Sequence, residues 1–326
     1  MTFSAIFQHS VAAQYRMRPM TWLHDKRKNG FVSTASRVLG FLPGIAYALL
    51  LDLSKVRSES HPIPFAITAI IKNEAPYILE WIEYHRLIGV TRFYLYDNES
   101  TDNLRDVIEP LIADGTVIYE RISGKERQLD AYNKMLSDHG NECDFCAFID
   151  ADEFLFFGEL NPLDYLKTNL SQSVGGLCLN WIVFGSSHRT EKPEGLVLEN
   201  YLQRGASDFE ANRHVKTICR PSTVIGFINP HYCRYRYGYH AEDTRGASMS
   251  YGHTAPLGEV PIPHIKHYFS KSLEEYLKKR SRGCADGHAM RDLDDFYRHD
   301  VNDVYDDSML PYARAVQKRL APNSHH

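Results

Sequence analysis

The sequence predicts an α/β protein with a mainly parallel central sheet flanked by helices. Two observations carry that expectation. Short, β-rich apolar runs alternate with amphipathic helical stretches between residues 65 and 149. Polar clusters follow the ends of three of those runs: Lys72-Asn73-Glu74, Asp97-Asn98-Glu99-Ser100 and Asp150-Ala151-Asp152-Glu153. In open parallel sheets, ligands sit beyond the carboxyl ends of the strands.

The elements follow in order. Pro62 and Pro64 precede the first strand, Phe65 to Ile71. Pro76 suits a first helical turn, Ile78, Leu79 and Ile82 give that helix an apolar side, and Gly89 can stop it. Arg92 to Tyr96 reads as the second strand. Ser100 or Thr101 can cap a helix whose apolar positions are Leu104, Val107, Ile108 and Leu111. Thr116 to Tyr119 is a third strand, Lys125 to Leu136 a third helix, and Phe145 to Ile149 a fourth strand ending at Asp150. Beyond residue 170 the pattern loosens into short strands and loops, with a clear helix near 273–282. Three regions are expected: an N-terminal extension over 1–60, a catalytic domain over 61–283, and a helical tail over 284–326 whose last residues resemble a tag remnant.

With 326 residues, 43% hydrophobic and 24% charged, the chain has the composition of a soluble globular enzyme. A formal net charge of −4 argues against a nucleic-acid partner, which calls for a basic footprint. Six cysteines without framework spacing read as reduced thiols in a cytosolic setting. The lone pair Cys143 and Cys146 has no second pair to complete a zinc site. No apolar run is long enough to span a bilayer; the interrupted stretch Leu39 to Leu53 follows Arg16, Arg18, Lys26, Arg27, Lys28 and Arg37. Residues 16–53 could therefore touch an anionic membrane surface, or pack on the catalytic domain or another subunit; the expected location is cytoplasmic, with a peripheral position at the inner face of the membrane as the alternative.

The sharpest chemical signal is "CAFIDADEFLFF". Asp150 and Asp152 stand one residue apart directly after an apolar strand, where a turn lets both approach one divalent cation. Such a cation, Mn²⁺ or Mg²⁺, binds phosphate oxygens and neutralises charge on a leaving diphosphate. Lone histidines among the sixteen are read as structural or surface residues.

The segment "AIIKNEAPYILEWIEYHRLIGVTRFYLYDNESTDN", followed by "FIDADEF", resembles the family-92 and related family-2-like glycosyltransferases, which share the GT-A fold. The resemblance covers residues 65 to 283 and rests on Lys72-Asn73-Glu74, Glu80-Trp81-x-x-Tyr84-His85, Asp97-Asn98-x-Ser100-x-Asp102 and Asp150-x-Asp152, with "NWIVFGSSHR", "HVKTICRP" and "HYFSKSLEEYLKKRSRG" downstream. It implies a nucleoside contact at Asp97, a nucleotide loop at Lys72, Asn73 and Glu74, and Gln128 and Asp150 facing the same region. It also implies a third metal ligand from a later segment, assigned to His267 with His264 and His231 in reserve. Lys216, Arg220 and Lys271 are candidate diphosphate partners. Lys271 stands before a helix with the capping box Ser272-x-x-Glu275. The run Lys278 to Arg282 reads as a solvated helix end. Glu153, His188, Glu191 and Asp208 are alternative general bases, and Trp181 offers a face for a sugar ring.

The expected function is thus metal-dependent transfer of a sugar, with inversion, from a nucleotide-diphosphate donor (a UDP-sugar favoured) to a hydroxyl of a glycan, lipid or other acceptor. Nucleotidyl transfer is the alternative enzyme class, but "AIIKNEAPY" lacks its glycine-rich phosphate loop. A non-catalytic nucleotide- or carbohydrate-binding module is the other alternative.

Overall fold

The computed structural model describes residues 61–170, 173–250, 252–254, 258–281 and 292–321. The expected membrane or subunit contact over 16–53, Cys284 and the last residues lie outside the described residues. The alternation read from the sequence forms β1 (Ile63–Ile71), α1 (Ile78–Leu87), β2 (Arg92–Asp97), α2 (Leu104–Ala113), β3 (Val117–Arg121), α3 (Gln128–His139) and β4 (Cys143–Phe148). Then come β5 (Glu153–Phe156), α4 (Pro162–Asn169), β6 (Val174–Val183), α5 (Val197–Asn200), β7 (Gln203–Arg204) and β8 (Val215–Cys219). The hairpin β9 (Val224–Asn229) and β10 (Tyr232–Tyr235) leads to β11 (His240–Asp243), β12 (Ser248–Met249) and β13 (His264–His267). Last are α6 (Leu273–Ser281), α7 (Leu293–His299), β14 (Val304–Tyr305) and α8 (Leu310–Leu320).

The main sheet runs β12-β11-β6-β8-β4-β1-β2-β3. Strands β4, β1, β2 and β3 are parallel, while β8 is antiparallel to both β4 and β6. The end of β6 pairs with β13, which also takes β5 as an antiparallel neighbour. Chain order reverses at β1, which lies between β2 and β4. That reversal opens a crevice at the carboxyl ends of β1 and β4, where such sheets bind ligands.

Alternation along β1 explains the layers. Phe65, Ile67, Ala69 and Ile71 pack with α1 and α2 on one face, and Ala66 and Ile70 pack with Ala131, Tyr132 and Met135 of α3 on the other. The cap of α2 differs from expectation: the N-cap is Asn103, which makes no side-chain capping bond. Asp102 Oδ1 accepts the Leu104 N–H at 3.3 Å, because Ser100 and Thr101 are engaged by the Asn73 loop. The five cysteines in described positions are free and buried, and no described helix is long and apolar enough to cross a membrane.

The motif Glu80-Trp81-x-x-Tyr84-His85 is a fastening for β5. Glu80 accepts the Val197 and Leu198 N–H groups at the start of α5, each at 2.9 Å. Trp81 Nε1 donates to Glu153 O (2.8 Å) and Tyr84 Oη to Leu155 O (2.6 Å). His85 Nδ1–H donates to Trp81 O at 2.8 Å, while Nε2 accepts from Leu155 N at 3.3 Å. This pairing needs a neutral ring, and burial pushes its pKa down to about 3. One helix face thus satisfies the strand edge that β13 leaves open.

The tail closes over this layer. Met309, Ala313 and Val316 are buried in the main core. Asp306 receives the fully buried Lys266 ammonium at 2.9 Å to both oxygens and Arg204 Nε at 3.2 Å. Asp306→Asn leaves the lysine unmatched, so a loss of about 3 kcal/mol is expected by urea unfolding at pH 7. Burial opposes ionisation of Asp306, but Lys266 and Ser308 outweigh it and hold the carboxyl at about 2, below its ordinary 3.8. The folded pKa is depressed. The contribution is therefore present above pH 4 and lost as pH falls toward 2, and wild type and variant should converge there.

Candidate functional site

The site is built on the turn between β4 and β5. Asp150 follows the end of β4, and its side chain is about one third exposed (34%). Gln128, the first residue of α3, donates from Nε2 to Asp150 Oδ1 at 2.8 Å, and Lys216 Nζ donates to Oδ2 at 2.9 Å. The antiparallel register places Thr217 opposite Phe148, which carries Lys216 to the end of β4. Glu153 lies beneath, with Oε2 accepting the Asp150 N–H at 2.8 Å and standing 3.9 Å from Lys216 Nζ. Burial disfavours ionisation of Asp150, but Lys216 outweighs it and lowers the pKa; the fully buried Glu153 is instead pushed well up by burial.

Asp152 is buried. Its Oδ2 accepts from Lys279 Nζ, and its Oδ1 stands 3.7 Å from His267 Nε2. Burial would raise the Asp152 pKa; Lys279 and then His267 hold it well below the ordinary range. Lys279 also donates to Phe269 O at 3.1 Å and lies 4.7 Å over the Phe269 ring. His267 reaches the turn because β13 pairs it with Glu153. Its ring lies 4.4 Å from that of Trp181, and Nδ1 is buried without a hydrogen-bond partner among the described residues. His214 and His231 flank the same tryptophan at 5.0 and 5.3 Å, and His253 packs on His214 at 4.1 Å.

A cleft of about 360 Å³ opens beside this turn, lined among others by Asn73, Tyr77, Asp102, Lys271, Lys278 and Lys279. Asn73 has φ 53, which turns its Oδ1 onto the Thr101 N–H (2.7 Å), while its own N–H donates to Ser100 Oγ (2.9 Å). The loops after β1 and β2 therefore form one wall. Lys72 and Glu74 flank Asn73 in that loop, with Glu74 O accepting the Tyr77 and Ile78 N–H groups that begin α1. Asp97 is buried and serves this wall, its oxygens accepting from Ser100 N (2.8 Å) and Tyr119 Oη (2.5 Å). Opposite, Lys271 has φ 50, is buried, and lies 4.4 Å over the Tyr77 ring.

Residues 65–282 match the model of glycosyltransferase family 92. The chain belongs to that family. A family 92 protein of Oryza sativa subsp. japonica is 27% identical over 246 residues, covering 74% of this chain and 40% of the relative. One of Arabidopsis thaliana is 29% identical over 173 residues, covering 50% and 29%. The chain thus spans two fifths or less of the length of these relatives. Among solved structures, S. aureus TarS 1-349 in complex with UDP-GlcNAc shares 12% identity at a TM-score of 0.40, covering 78% of this chain and 67% of that one.

Within the family 92 region, the expected residues divide. Asp150, Asp152, Gln128 and His267 come together, and Asn73 and Lys271 line the cleft. Lys216 is 1% exposed and committed to Asp150 and Glu153, so it is not placed to meet a diphosphate. Arg220 follows the opposite end of β8 and lies 5.4 Å over Tyr239, away from the turn. Glu153 is wholly enclosed and braces Asp150, so no acceptor hydroxyl can reach it as a base. His188 and Glu191 are exposed on the loop that runs beside α6, and Asp208 is exposed on another loop. His264 faces Phe156 and Pro261 O, a full strand length from His267.

Lys279 was missed because it sits in a basic run. Its signal was position: Ser272, Glu275, Tyr276 and Lys279 share one buried face of α6, while Lys278 points to solvent and pairs with Glu274. The histidines around Trp181 come from separate segments and have no local spacing to reveal them.

Proposed function

We propose that this chain transfers a sugar from a nucleotide-diphosphate donor, a UDP-sugar foremost, to a hydroxyl acceptor such as a glycan or lipid, with inversion. The observation that carries the reading is the placement of Asp150 and Asp152 at the switch crevice of a family 92 segment, beside a cleft walled by Asn73, Asp102 and Lys271. Donor diphosphate would lie toward Lys271 and α6. The acceptor would lie on the Trp181 side, where an aromatic face and neutral imidazoles suit a sugar ring. Family membership favours this reading over nucleotidyl transfer.

The GT-A resemblance implies Mn²⁺ or Mg²⁺, and the donor types present suit such an ion: two carboxylates and an imidazole whose nitrogen lies 3.7 Å from Asp152 Oδ1. As the side chains stand, no described group of three or more His, Cys, Asp or Glu is gathered for a metal. Lysines hold both aspartates. Asp150, Asp152 and His267 would hold the cation, which when bound supplies charge neutralisation at the leaving diphosphate. The chain itself contributes the rest. Gln128 and Lys216 fix the Asp150 carboxylate, Glu153 braces its backbone, and the Asn73 loop shapes the cleft wall.

Incubation with a panel of sugar nucleotides and Mn²⁺, scoring released nucleoside diphosphate, tests the function; release from none of them overturns it. His267→Ala is expected to weaken Mn²⁺ binding and activity together, with partial rescue at high metal. If calorimetry finds unchanged Mn²⁺ affinity in a folded variant, His267 packs against Trp181 and nothing more.

A further inference from the structure

We infer that Lys279 is a donor-binding residue held in reserve: it sits on Asp152 until a divalent cation takes that carboxylate, then turns into the adjacent cleft to meet the donor's diphosphate. The inference rests on the glycosyl-transfer reading above and deepens it. Asp150 and Asp152 are matched by Lys216 and Lys279, two carboxylates against two ammonium groups, before any ion arrives. The two lysines are not equivalent. Lys216 is a β-strand residue 1% exposed, enclosed by Asp150 and Glu153. Lys279 stands on α6 and lines the cleft beside Lys271 and Lys278, so its long side chain has somewhere to go.

Like charges at contact distance repel where water is scarce, so a divalent cation on Asp152 loosens Lys279 from that carboxylate, whereas Lys216, held by Glu153 as well as Asp150 and enclosed away from the cleft, stays in place. Lys279 can swing toward the cleft without unfolding α6, because only its side chain must move. There it stands with Lys271 and Lys278, three cations lining a space of about 360 Å³. A diphosphate bound in that space stabilises the displaced ammonium, and the displaced ammonium clears Asp152. Metal and nucleotide therefore favour each other's binding, and by linkage the factor is the same in both directions.

The test is a Mn²⁺ titration of the full chain, followed by electron paramagnetic resonance of free Mn²⁺, with and without UDP. Wild type should bind Mn²⁺ at least tenfold more tightly when UDP is present. Lys279→Met should bind Mn²⁺ alone about tenfold more tightly than wild type, yet bind UDP more weakly and lose most of the coupling. Lys279→Gln, which keeps a polar contact to Asp152, should fall between them and guards against misfolding of the first variant. Unchanged Mn²⁺ affinity in both folded variants overturns the exchange. Loss of Mn²⁺ dependence on Asp152 itself, shown by Asp152→Asn binding the ion as wild type does, would instead overturn the metal reading on which the exchange stands.

Discussion

Asp152→Ala is expected to lower sugar transfer by about a hundredfold or more and, at the same time, to lower stability. The first effect follows from the proposed role: losing a cation ligand loses both charge neutralisation and diphosphate orientation, and single electrostatic contacts of this kind are typically worth 10²–10³ in rate. The second follows from burial. Asp152 is the partner of Lys279, and both side chains are only 9% exposed. Removing one member of a buried pair typically costs about 3–5 kcal/mol. The lower end applies here, because Lys279 can reach the neighbouring cleft. Asp152→Asn separates the two effects: it keeps the shape and should retain more stability than alanine, while transfer still collapses. Near wild-type turnover in either variant, measured as nucleoside diphosphate release, would remove Asp152 from the reaction.

Lys216→Met should have the largest effect on folding. The lysine side chain is 1% exposed and sits between Asp150 and Glu153, whose side chain is 0% exposed. Burial disfavours the ammonium, but Asp150 and Glu153 outweigh it and raise its pKa above the ordinary value. Without the ammonium, the buried Glu153 carboxyl and the partly exposed Asp150 carboxylate face each other unmatched, and a penalty of about 3 kcal/mol is expected. For a domain of this size that corresponds to a fall in Tm of roughly 10 °C. Lys216→Met combined with Glu153→Gln should recover part of the loss, because one ionisable carboxyl then remains where there were two. If the double variant melts no higher than the single, the lysine is packed for its aliphatic stem alone.

The contrast between these lysines shows what was legible in the chain. The strand and helix series from β1 to β4 could be read because each apolar run is local and its period distinguishes strand from helix. Asp150 and Asp152 were visible for the same reason, lying beside the strand that positions them. Their counter-ions were not. Lys216 arrives through the antiparallel register of β8 with β4, and Lys279 through the packing of α6, and neither relation leaves a mark in local spacing. Lys216 therefore read as a phosphate ligand and Lys279 as a solvated charge. Glu153 offers the same lesson. A carboxylate next to Asp152 resembles a base until β5, fastened by Trp81 and Tyr84, turns it inward.

That fastening extends beyond the region by which the family is recognised. The family 92 model matches as far as residue 282, and beyond it α8 lies on α1, with Tyr312 against Tyr84 at 5.4 Å and its hydroxyl donating to Gly158 O at 3.1 Å. Arg319 reaches Glu83 at 3.2 Å on the same surface. The outer side of the helix that holds β5, and through β5 the Asp152 turn, is therefore covered by residues that lie beyond the family model's match. A protein trimmed to residues 65–282 would therefore have an uncovered wall behind its carboxylates.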